Sequence, residues 1–335
     1  MVERESSAPM SREADWREKL SAAEAASRTA LESSALEKIT QQVQRVPASI
    51  LRGKEGCYRA LQQVTSDPHS TASLESAAAS LPADSSTFGR WLLLQAAFVG
   101  MKQLPDIPVF AEVKNAWAEE VLFFAQAATS WLPAFALSHV RFREMARIVT
   151  WRRFPAGQFH WEVSGLPRST FWKIPAGDVP RVAWYWLASL RGFAPLWETH
   201  INDRRRNRLT LTEPEGLKSY YRMARSLEMQ KDVKGLVTFG WLYCSSTGQV
   251  TPRLAWLREF FLHHGGVITS TGFAPGNAGF LVGSEERRRL YEEGRYRPAM
   301  TCVLWSRDAI LRWASQFPVP DETGPCGSGP AREGR

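Results

Sequence analysis

The amino-acid sequence predicts an α+β protein in which an N-terminal helical region packs on a C-terminal mixed β-sheet with flanking helices. Three observations support this class. Residues 232–317 alternate three times between β-branched or aromatic runs, typical of strands, and runs typical of helices. Residues 148–175 form short strand-like runs between Pro/Gly turns, and most of the first 145 residues have helical character.

The N-terminal part is expected to comprise a disordered tail (1–14) and a helical region (15–145). One helical face is predicted by apolar residues at four-residue steps: Leu31, Ala35, Ile39 and Val43. Because this stripe is narrow and alanine-rich, we expect the first 50 residues to lie at the periphery of the fold.

Residues 121–140 form an uncharged stretch of twenty residues, which is long enough to cross a bilayer. The stretch contains several polar residues and Pro133, and these favour a buried helix that breaks near the proline. Either a buried helix or a membrane-associated one is compatible with the sequence alone.

The second domain, expected over residues 146–317, is the predicted catalytic or ligand-binding part, and residues 318–335 are a predicted disordered tail. Its first half is expected to contain a meander of two or three short strands, drawn from residues 148–154, 158–165 and 169–175, and a helix at residues 179–190. Thr212 and Glu215 have the spacing of a capping box, which predicts a helix that begins there and runs through Gln230.

The last third supplies the clearest pattern. Strands are expected at residues 235–244, 266–272 and 299–305, and helices at residues 252–264, 284–294 and 307–317. Thr251 and Pro252 have the residue types of an N-cap and a first helical position. Free amides at this helix start, with Arg253 and Arg258 nearby, could bind a phosphate or carboxylate, or the segment could be an ordinary cap with solvated arginines, as at any helix start.

Composition restricts the function class without selecting one. The chain has 335 residues, 44% hydrophobic and 23% charged, which is globular composition. Its four cysteines lack metal-ligand spacing, and the charged N-terminus lacks the apolar core of a secretory leader. We therefore expect a cytoplasmic protein with no metal site. Sequence motifs for nucleoside triphosphate, dinucleotide, serine-hydrolase and zinc-protease sites are absent.

The net charge of +8 is concentrated in the C-terminal part. Residues 1–140 contain 13 basic and 16 acidic residues, whereas the remainder contains 29 basic and 18 acidic residues. Such a bias favours an anionic partner, which could be a nucleotide, a CoA-type cofactor, a nucleic acid, an acidic protein or an acidic lipid surface.

The densest polar cluster is residues 197–209, and it contains His200, Arg204 and Arg205. Histidine suits general acid/base work near neutral pH, and arginine suits recognition of phosphate or carboxylate. The cluster could bind and turn over an anionic substrate, or it could be a solvated basic loop.

His160 and Glu162 alternate with apolar residues in a strand pattern and therefore share one face of that strand. If the face lines a pocket, the two residues form an acid/base pair. If it faces solvent, they are ordinary polar residues.

Residues 232–305 resemble the C-terminal half of the GNAT acyltransferase fold. The resemblance rests on the strand and helix order and on the sequence LYEEGRY at residues 290–296, which is similar to the LYxxxGF-like motif of that family. It implies an acyl-CoA cosubstrate that is not tightly bound, and it implies that Tyr291 is the general acid toward the departing CoA thiolate. The family's pyrophosphate loop is not found, because the corresponding loop reads SSTGQVTPRLA.

The leading hypothesis is an acyltransferase that uses a CoA-type donor and a small polar acceptor. Its expected substrate-binding residues are Arg204, Arg205 and Trp241, and its expected catalytic residues are His160, Glu162, His200 and Tyr291. The alternative is a non-catalytic binding or regulatory protein whose basic C-terminal face engages an anionic partner, for which nucleic acid is a less favoured choice.

Overall fold

The computed structural model of the protein describes residues 8–45, 53–66, 71–79, 81, 83–127, 129–202, 211–273 and 284–318. It confirms the α+β class. Seven described α-helices precede the sheet: α1 (Ala8–Leu31), α2 (Ser34–Arg45), α3 (Gly53–Ser66), α4 (Thr71–Ala79), α5 (Ser85–Gln103), α6 (Ala111–Ala125) and α7 (Val140–Val149). Helix α1 thus begins inside the segment predicted to be a disordered tail.

Helices α1 and α2 belong to the core of the helical part. The side chains of Trp16, Leu36 and Ile39 are at most 4% exposed and join the same apolar cluster as α5. Trp91 Nε1 of α5 donates a hydrogen bond to Thr40 Oγ1 of α2 at 2.8 Å. The prediction that the first 50 residues are peripheral is therefore wrong, because the buried residues of α2 follow i, i+3, i+7 spacing and the stripe at four-residue steps did not include Leu36.

The apolar stretch 121–140 does not form one helix. Helix α6 ends at Ala125, a 3₁₀ segment spans Thr129–Phe135 with Pro133 inside it, and α7 starts after His139. The Nδ1 atom of His139 accepts the Arg141 amide at 3.1 Å and so caps α7. Within the described residues, every helix is too short or too polar to cross a bilayer.

The sheet has six strands, namely β1 (Arg153–Pro155), β2 (Phe159–Ser164), β3 (Leu196–Ile201), β4 (Gly235–Gly240), β5 (Val267–Phe273) and β6 (Ala299–Ser306). Their order is β1-β2-β3-β4-β6-β5. Strands β3 and β4 are parallel, and all other neighbours are antiparallel. The flanking helices are α8 (Val179–Ala188), α9 (Glu213–Met229), α10 (Ser245–Val250), α11 (Ala255–His263), α12 (Glu285–Glu292) and α13 (Arg307–Gln316).

The two faces of the sheet have different chemistry. The aromatic face carries Trp161, Trp197 and Trp305 and packs against α9, α11 and α13, where the Tyr220 and Phe260 rings stack at 5.1 Å. The opposite face, called here the mixed face, is polar on β2 and β3 and apolar on β4 and β6. Residues 166–193, which include α8, cover its apolar part.

Two predicted strands of this region are wrong, whereas the helix predicted from Thr212 through Gln230 is present as α9 without the predicted side-chain cap. Residues 148–154 lie mostly in α7 and a turn, because Trp151 takes a left-handed backbone (φ 59°) and ends the helix before the short β1. Residues 169–175 fall mainly in a 3₁₀ helix, Arg168–Lys173. Thr212 is the N-cap of α9 but makes no side-chain cap hydrogen bond. Its hydroxyl instead accepts from Gln158 Nε2 at 3.2 Å, which ties α9 to the start of β2.

Candidate functional site

Parallel strands β3 and β4 separate toward their carboxyl ends. Only two residue pairs, Trp197 with Leu236 and Glu198 with Val237, connect them in register. One residue further on, the Thr238 hydroxyl donates to the Thr199 carbonyl oxygen at 3.3 Å. Beyond this point β3 pairs only with β2, and β4 pairs only with β6. The facing backbone edges of the two strand ends form a gap, called here the β3/β4 gap, whose polar groups can pair with a ligand.

His200 lies on the separated part of β3, and its side chain is held by Glu162 of β2. His200 Nε2 and Glu162 Oε1 are 3.1 Å apart. Because an ionised carboxylate only accepts hydrogen bonds, the ring donates from Nε2, and Nδ1 is the nitrogen that can accept a proton when the imidazole is neutral. Both residues are on the mixed face together with His160, whose common face with Glu162 the strand alternation predicted, and the face lines a half-buried site rather than open solvent. This pair has the geometry of a general base with an orienting carboxylate.

Two arginines fix the carboxylate that orients His200. The guanidinium of Arg153 lies 3.3 Å from Glu162 Oε2, and Arg147 Nη1 lies 3.3 Å from the same oxygen. The side chain of Arg153 is only 6% exposed and has a second partner in Glu144 at 3.5 Å. Burial alone raises the pKa of Glu162, but the His200 hydrogen bond, the charges of Arg153 and Arg147 and the charge of His200 when it is protonated outweigh it and lower that pKa to about 2. Glu162 therefore stays ionised at neutral pH.

A low pKa in the folded state makes Glu162 a source of acid sensitivity. Its folded pKa of about 2 lies below the ordinary value of 4.5, so its stabilisation is present above pH 4.5 and is lost as pH falls toward 2. We expect Glu162→Gln to lower the free energy of unfolding by about 3 kcal/mol at pH 7, with the difference from wild type shrinking below pH 4. Urea titrations at pH 7, 4 and 3 measure this.

The control for this experiment is Glu259→Gln, which removes an exposed carboxylate from α11. That variant should follow the wild-type pH dependence. A constant stability difference between Glu162→Gln and wild type from pH 7 to pH 3 contradicts the prediction, because it would mean that the carboxylate contributes packing rather than charge.

A second carboxylate and histidine pair is buried beside the first. His160 is directly opposite His200 across β2 and β3, and its Nε2 lies 3.6 Å from Glu120 Oε1 of α6. Both side chains are 7% exposed. Asn202 donates to the same Glu120 oxygen at 3.3 Å. These three residues and Arg141 are among those that line a cavity of about 30 Å³, which has room for one or two water molecules.

Buried hydroxyl groups lie at the closed end of the β3/β4 gap. Thr238 Oγ1 is 3.3 Å from the Tyr243 hydroxyl, and burial raises the pKa of that phenol. The hydroxyls of Thr199 and Tyr220 are also buried, and both lie beside the Tyr243 hydroxyl and interact with it. The closed end of the gap is therefore a buried cluster of hydroxyl groups.

The helix start predicted to bind phosphate differs from the expectation. Thr251 follows α10 and is the N-cap of a 3₁₀ turn, Pro252–Leu254, that leads into α11. The Thr251 amide donates to Thr247 O at 2.7 Å, and its hydroxyl accepts from Arg287 at 3.2 Å. Arg258 donates to Tyr243 O at 3.0 Å, while Arg253 is exposed. The amide of Thr251 is thus already engaged, and the role of these residues in binding a cofactor stays a prediction.

Tyr291 and Trp241 belong to a separate cluster. They pack with Leu290 and Tyr296 between α12 and the segment after β4, and the Arg287 guanidinium lies 5.3 Å from the Trp241 ring centroid. The structure thus brings His160, Glu162 and His200 together and groups Tyr291 with Trp241. The catalytic role that the resemblance implies for Tyr291 remains a prediction. Arg204 and Arg205, predicted to bind substrate, lie outside the described residues.

Three residues of the site were not predicted from the sequence, namely Glu120, Arg147 and Arg153, and Glu198 was part of the predicted polar cluster 197–209 without a role of its own. Leu196–Ile201 is a strand with alternating polar residues, and this period of two was the signal that could have placed Glu198 and His200 on one face. Glu120 and the arginines belong to other elements, and only the tertiary fold brings them to β2.

Glu162, Glu198 and His200 also place one ligand atom each within 4.8 Å of one another. Two arginines already neutralise Glu162, and Glu198 accepts from the Ser164 hydroxyl at 3.1 Å. A cation at this position would be repelled by both guanidinium groups. The arrangement suits the positioning of His200 better than metal ligation.

Comparisons with known proteins return few matches. No protein-family model matches the chain, and no curated protein matches it. Among solved structures, an acyltransferase in complex with decanoyl-CoA and teicoplanin has a TM-score of 0.47 at 12% identity, with 87% of each chain covered. A mutant acyltransferase in complex with octanoyl-CoA has a TM-score of 0.46 at 12% identity and the same coverage. Neither similarity assigns the chain to a family.

Proposed function

We propose that this chain is an acyltransferase that moves an acyl group from an acyl-CoA-type thioester to the amine or hydroxyl group of a small polar acceptor. The observation that carries the proposal is the β3/β4 gap with the His200 and Glu162 pair at its open end. In this proposal the gap binds the acyl-CoA donor, and the His200 and Glu162 pair activates the acceptor.

The donor is inferred from the unpaired strand edges. The pantetheine arm of CoA is a narrow, extended chain with two amide groups, so it can pair with backbone edges much as an added β-strand does. Thr199 and Thr238 close the inner end of the gap, whereas His200, Ile201, Phe239 and Gly240 at the open end are half-buried and accessible. An arm lying between the strands would bring the thioester next to His200.

The chemistry follows from the protonation states of the pair. Nδ1 of neutral His200 takes a proton from the acceptor amine or hydroxyl as that group attacks the thioester carbonyl carbon. Ionised Glu162 stabilises the imidazolium that forms, and Arg147 and Arg153 keep Glu162 in place. Collapse of the tetrahedral intermediate breaks the C–S bond and releases the CoA thiolate, and His200 then loses its proton. The net reaction yields acylated acceptor, CoA thiolate and one proton.

Ligand-dependent thermal stability tests the donor. We expect CoA and its acetyl and octanoyl esters, at about 1 mM, to raise the melting temperature by at least about 2 °C, because a ligand that binds only the folded state stabilises it by mass action. Adenosine 3′,5′-bisphosphate lacks the pantetheine arm and is the matched control. It should give a smaller shift than CoA, because the proposed contacts in the gap are made by the arm.

Two outcomes contradict the proposal. One is the absence of any shift with CoA and its esters at about 1 mM. The other is a shift by short nucleic acids alone, which favours the non-catalytic binding class.

A further inference from the structure

Helix α8 presents an apolar stripe to solvent. Val182 is fully buried against the sheet, whereas Trp184 is 74% exposed and Leu187 is 59% exposed. Positions 180, 184, 187 and 188 share the exposed side of this helix at i, i+4, i+7 and i+8 spacing, and they are Pro, Trp, Leu and Ala. An amphipathic helix normally turns polar residues outward, so an apolar outer face of this kind indicates an interaction surface.

The segments before and after α8 extend this apolar surface. Trp172, in the 3₁₀ helix that precedes α8, is 91% exposed, and Phe193 after α8 is 57% exposed. The backbone at Arg191 and Gly192 is left-handed (φ 55° and 72°) and reverses the chain after α8. The Phe193 ring thereby contacts Trp186 edge to face at 4.6 Å. We call Trp172, Trp184, Leu187 and Phe193 together the outer patch.

Basic residues surround the outer patch. Within residues 166–195 the basic side chains are Arg168, Lys173, Arg181 and Arg191, all exposed, and the sole acid is Asp178. Asp178 is engaged by the Thr269 hydroxyl at 2.8 Å and by Arg181 at 3.1 Å. Arg168 stacks over the Phe193 ring at 5.0 Å. The covering layer of the mixed face therefore combines exposed aromatic rings with an excess of positive charge.

We propose that the outer patch docks on the surface of an anionic lipid bilayer, with α8 lying in the plane of the interface. Tryptophan is favoured at the boundary between headgroups and acyl chains, and leucine gains by entering the acyl region. Each basic residue near an anionic leaflet adds a further attraction. The inference is independent of the proposed acyl transfer, because none of the patch residues belongs to the β3/β4 gap.

Charge argues against the other occupants of the patch. Two copies of the chain joined by a twofold axis through α8 would bring both sets of four basic residues together, and within residues 166–195 each copy has only Asp178 to offset them. A nucleic acid would pair with the arginines, but burial of Leu187 and of the rest of the apolar stripe would add little to its binding free energy. An anionic bilayer can bury the apolar side chains among its acyl chains and pair its anionic headgroups with the basic residues.

Vesicle flotation of the full chain tests the proposal. Vesicles of phosphatidylcholine with about 30% phosphatidylserine should carry the protein upward, and pure phosphatidylcholine vesicles should carry at least about tenfold less. Trp184→Gln/Leu187→Gln should lower the partition onto anionic vesicles by about tenfold or more. Lys173→Ala/Arg191→Ala should also lower it and should weaken its dependence on salt.

The matched control is Met229→Gln/Leu262→Gln. These residues are 53% and 46% exposed on α9 and α11, which cover the aromatic face on the other side of the sheet. The control should bind vesicles like wild type, and circular dichroism melts should show that every variant folds.

Three results overturn the proposal. The first is an absence of flotation with anionic vesicles, or equal flotation of wild type and Trp184→Gln/Leu187→Gln. The second is a dimer in sedimentation velocity that this double variant dissociates while vesicle binding is absent, which assigns the patch to a second copy. The third is binding to short duplex DNA without binding to vesicles.

Discussion

His200→Gln should lower the turnover of an acyl-CoA donor by about 10²- to 10⁴-fold, the usual contribution of a positioned general base. Glutamine keeps a hydrogen-bond donor for Glu162 but has no nitrogen that can take a proton at neutral pH. Release of CoA thiol from acetyl-CoA and octanoyl-CoA, in the presence of a panel of small amines and alcohols, gives the rate. Stabilisation of the variant by CoA should match wild type, because His200 acts on the acceptor rather than on the pantetheine arm.

His263→Gln is the control histidine, since His263 is exposed at the end of α11 on the other side of the sheet. Its rate should equal that of wild type. If His200→Gln retains full turnover while CoA still stabilises the protein, the base lies elsewhere and the proposed chemistry is wrong, although the donor site survives. Loss of CoA binding in the same variant would instead indicate that His200 contacts the donor.

Removal of residues 1–45 should abolish cooperative folding of the helical part. Helices α1 and α2 contribute Trp16, Ala23 and Ile39 to the buried cluster, all at most 4% exposed, and their loss uncovers apolar side chains of α5 and α6. Polar contacts disappear with them, including the Asn115 to Asp15 hydrogen bond at 2.7 Å. We expect the truncated chain to aggregate or to melt without a sharp transition in circular dichroism.

A point variant tests the same packing without a truncation. Trp16→Ala should lower the free energy of unfolding by about 3 to 5 kcal/mol, whereas Glu18→Ala on the exposed side of α1 should change it by less than about 0.5 kcal/mol. A truncated chain that melts sharply at the wild-type temperature would contradict this prediction. It would indicate that α1 and α2 are peripheral, as the narrow apolar stripe predicts.

The C-terminal elements could be predicted because each carries its own local signal. Val267–Phe273 and Ala299–Ser306 are β-branched runs bounded by turns, and α12 has the N-cap Ser284 whose hydroxyl accepts from Arg287 N. The prediction of a strand at residues 169–175 was wrong although its Thr, Phe, Trp and Ile are typical of strands. The segment forms a 3₁₀ turn in which Phe171 packs against Trp186, so tertiary packing outweighs the local preference.

The site was predictable only where its residues share one strand. Period-two alternation placed His160 and Glu162 on a common face, and strand geometry then gave the correct relation. The partner of each came from elsewhere in the chain: Glu120 from α6 and His200 from the neighbouring strand. Such contacts depend on strand order and helix placement, which no local pattern encodes.

The short parallel pairing of β3 with β4 has a consequence for how the chain folds. Strands β1, β2 and β3 form one antiparallel unit within residues 153–201, and β4, β6 and β5 form another within residues 235–306. Each unit forms its strand pairs within one contiguous stretch of chain. The pairing of β3 with β4 joins the two units, and the chain between these strands crosses over through α9. We therefore expect the pairing of β3 with β4 to form after the two antiparallel units, and we expect a molecule bound between these strands to stabilise that pairing.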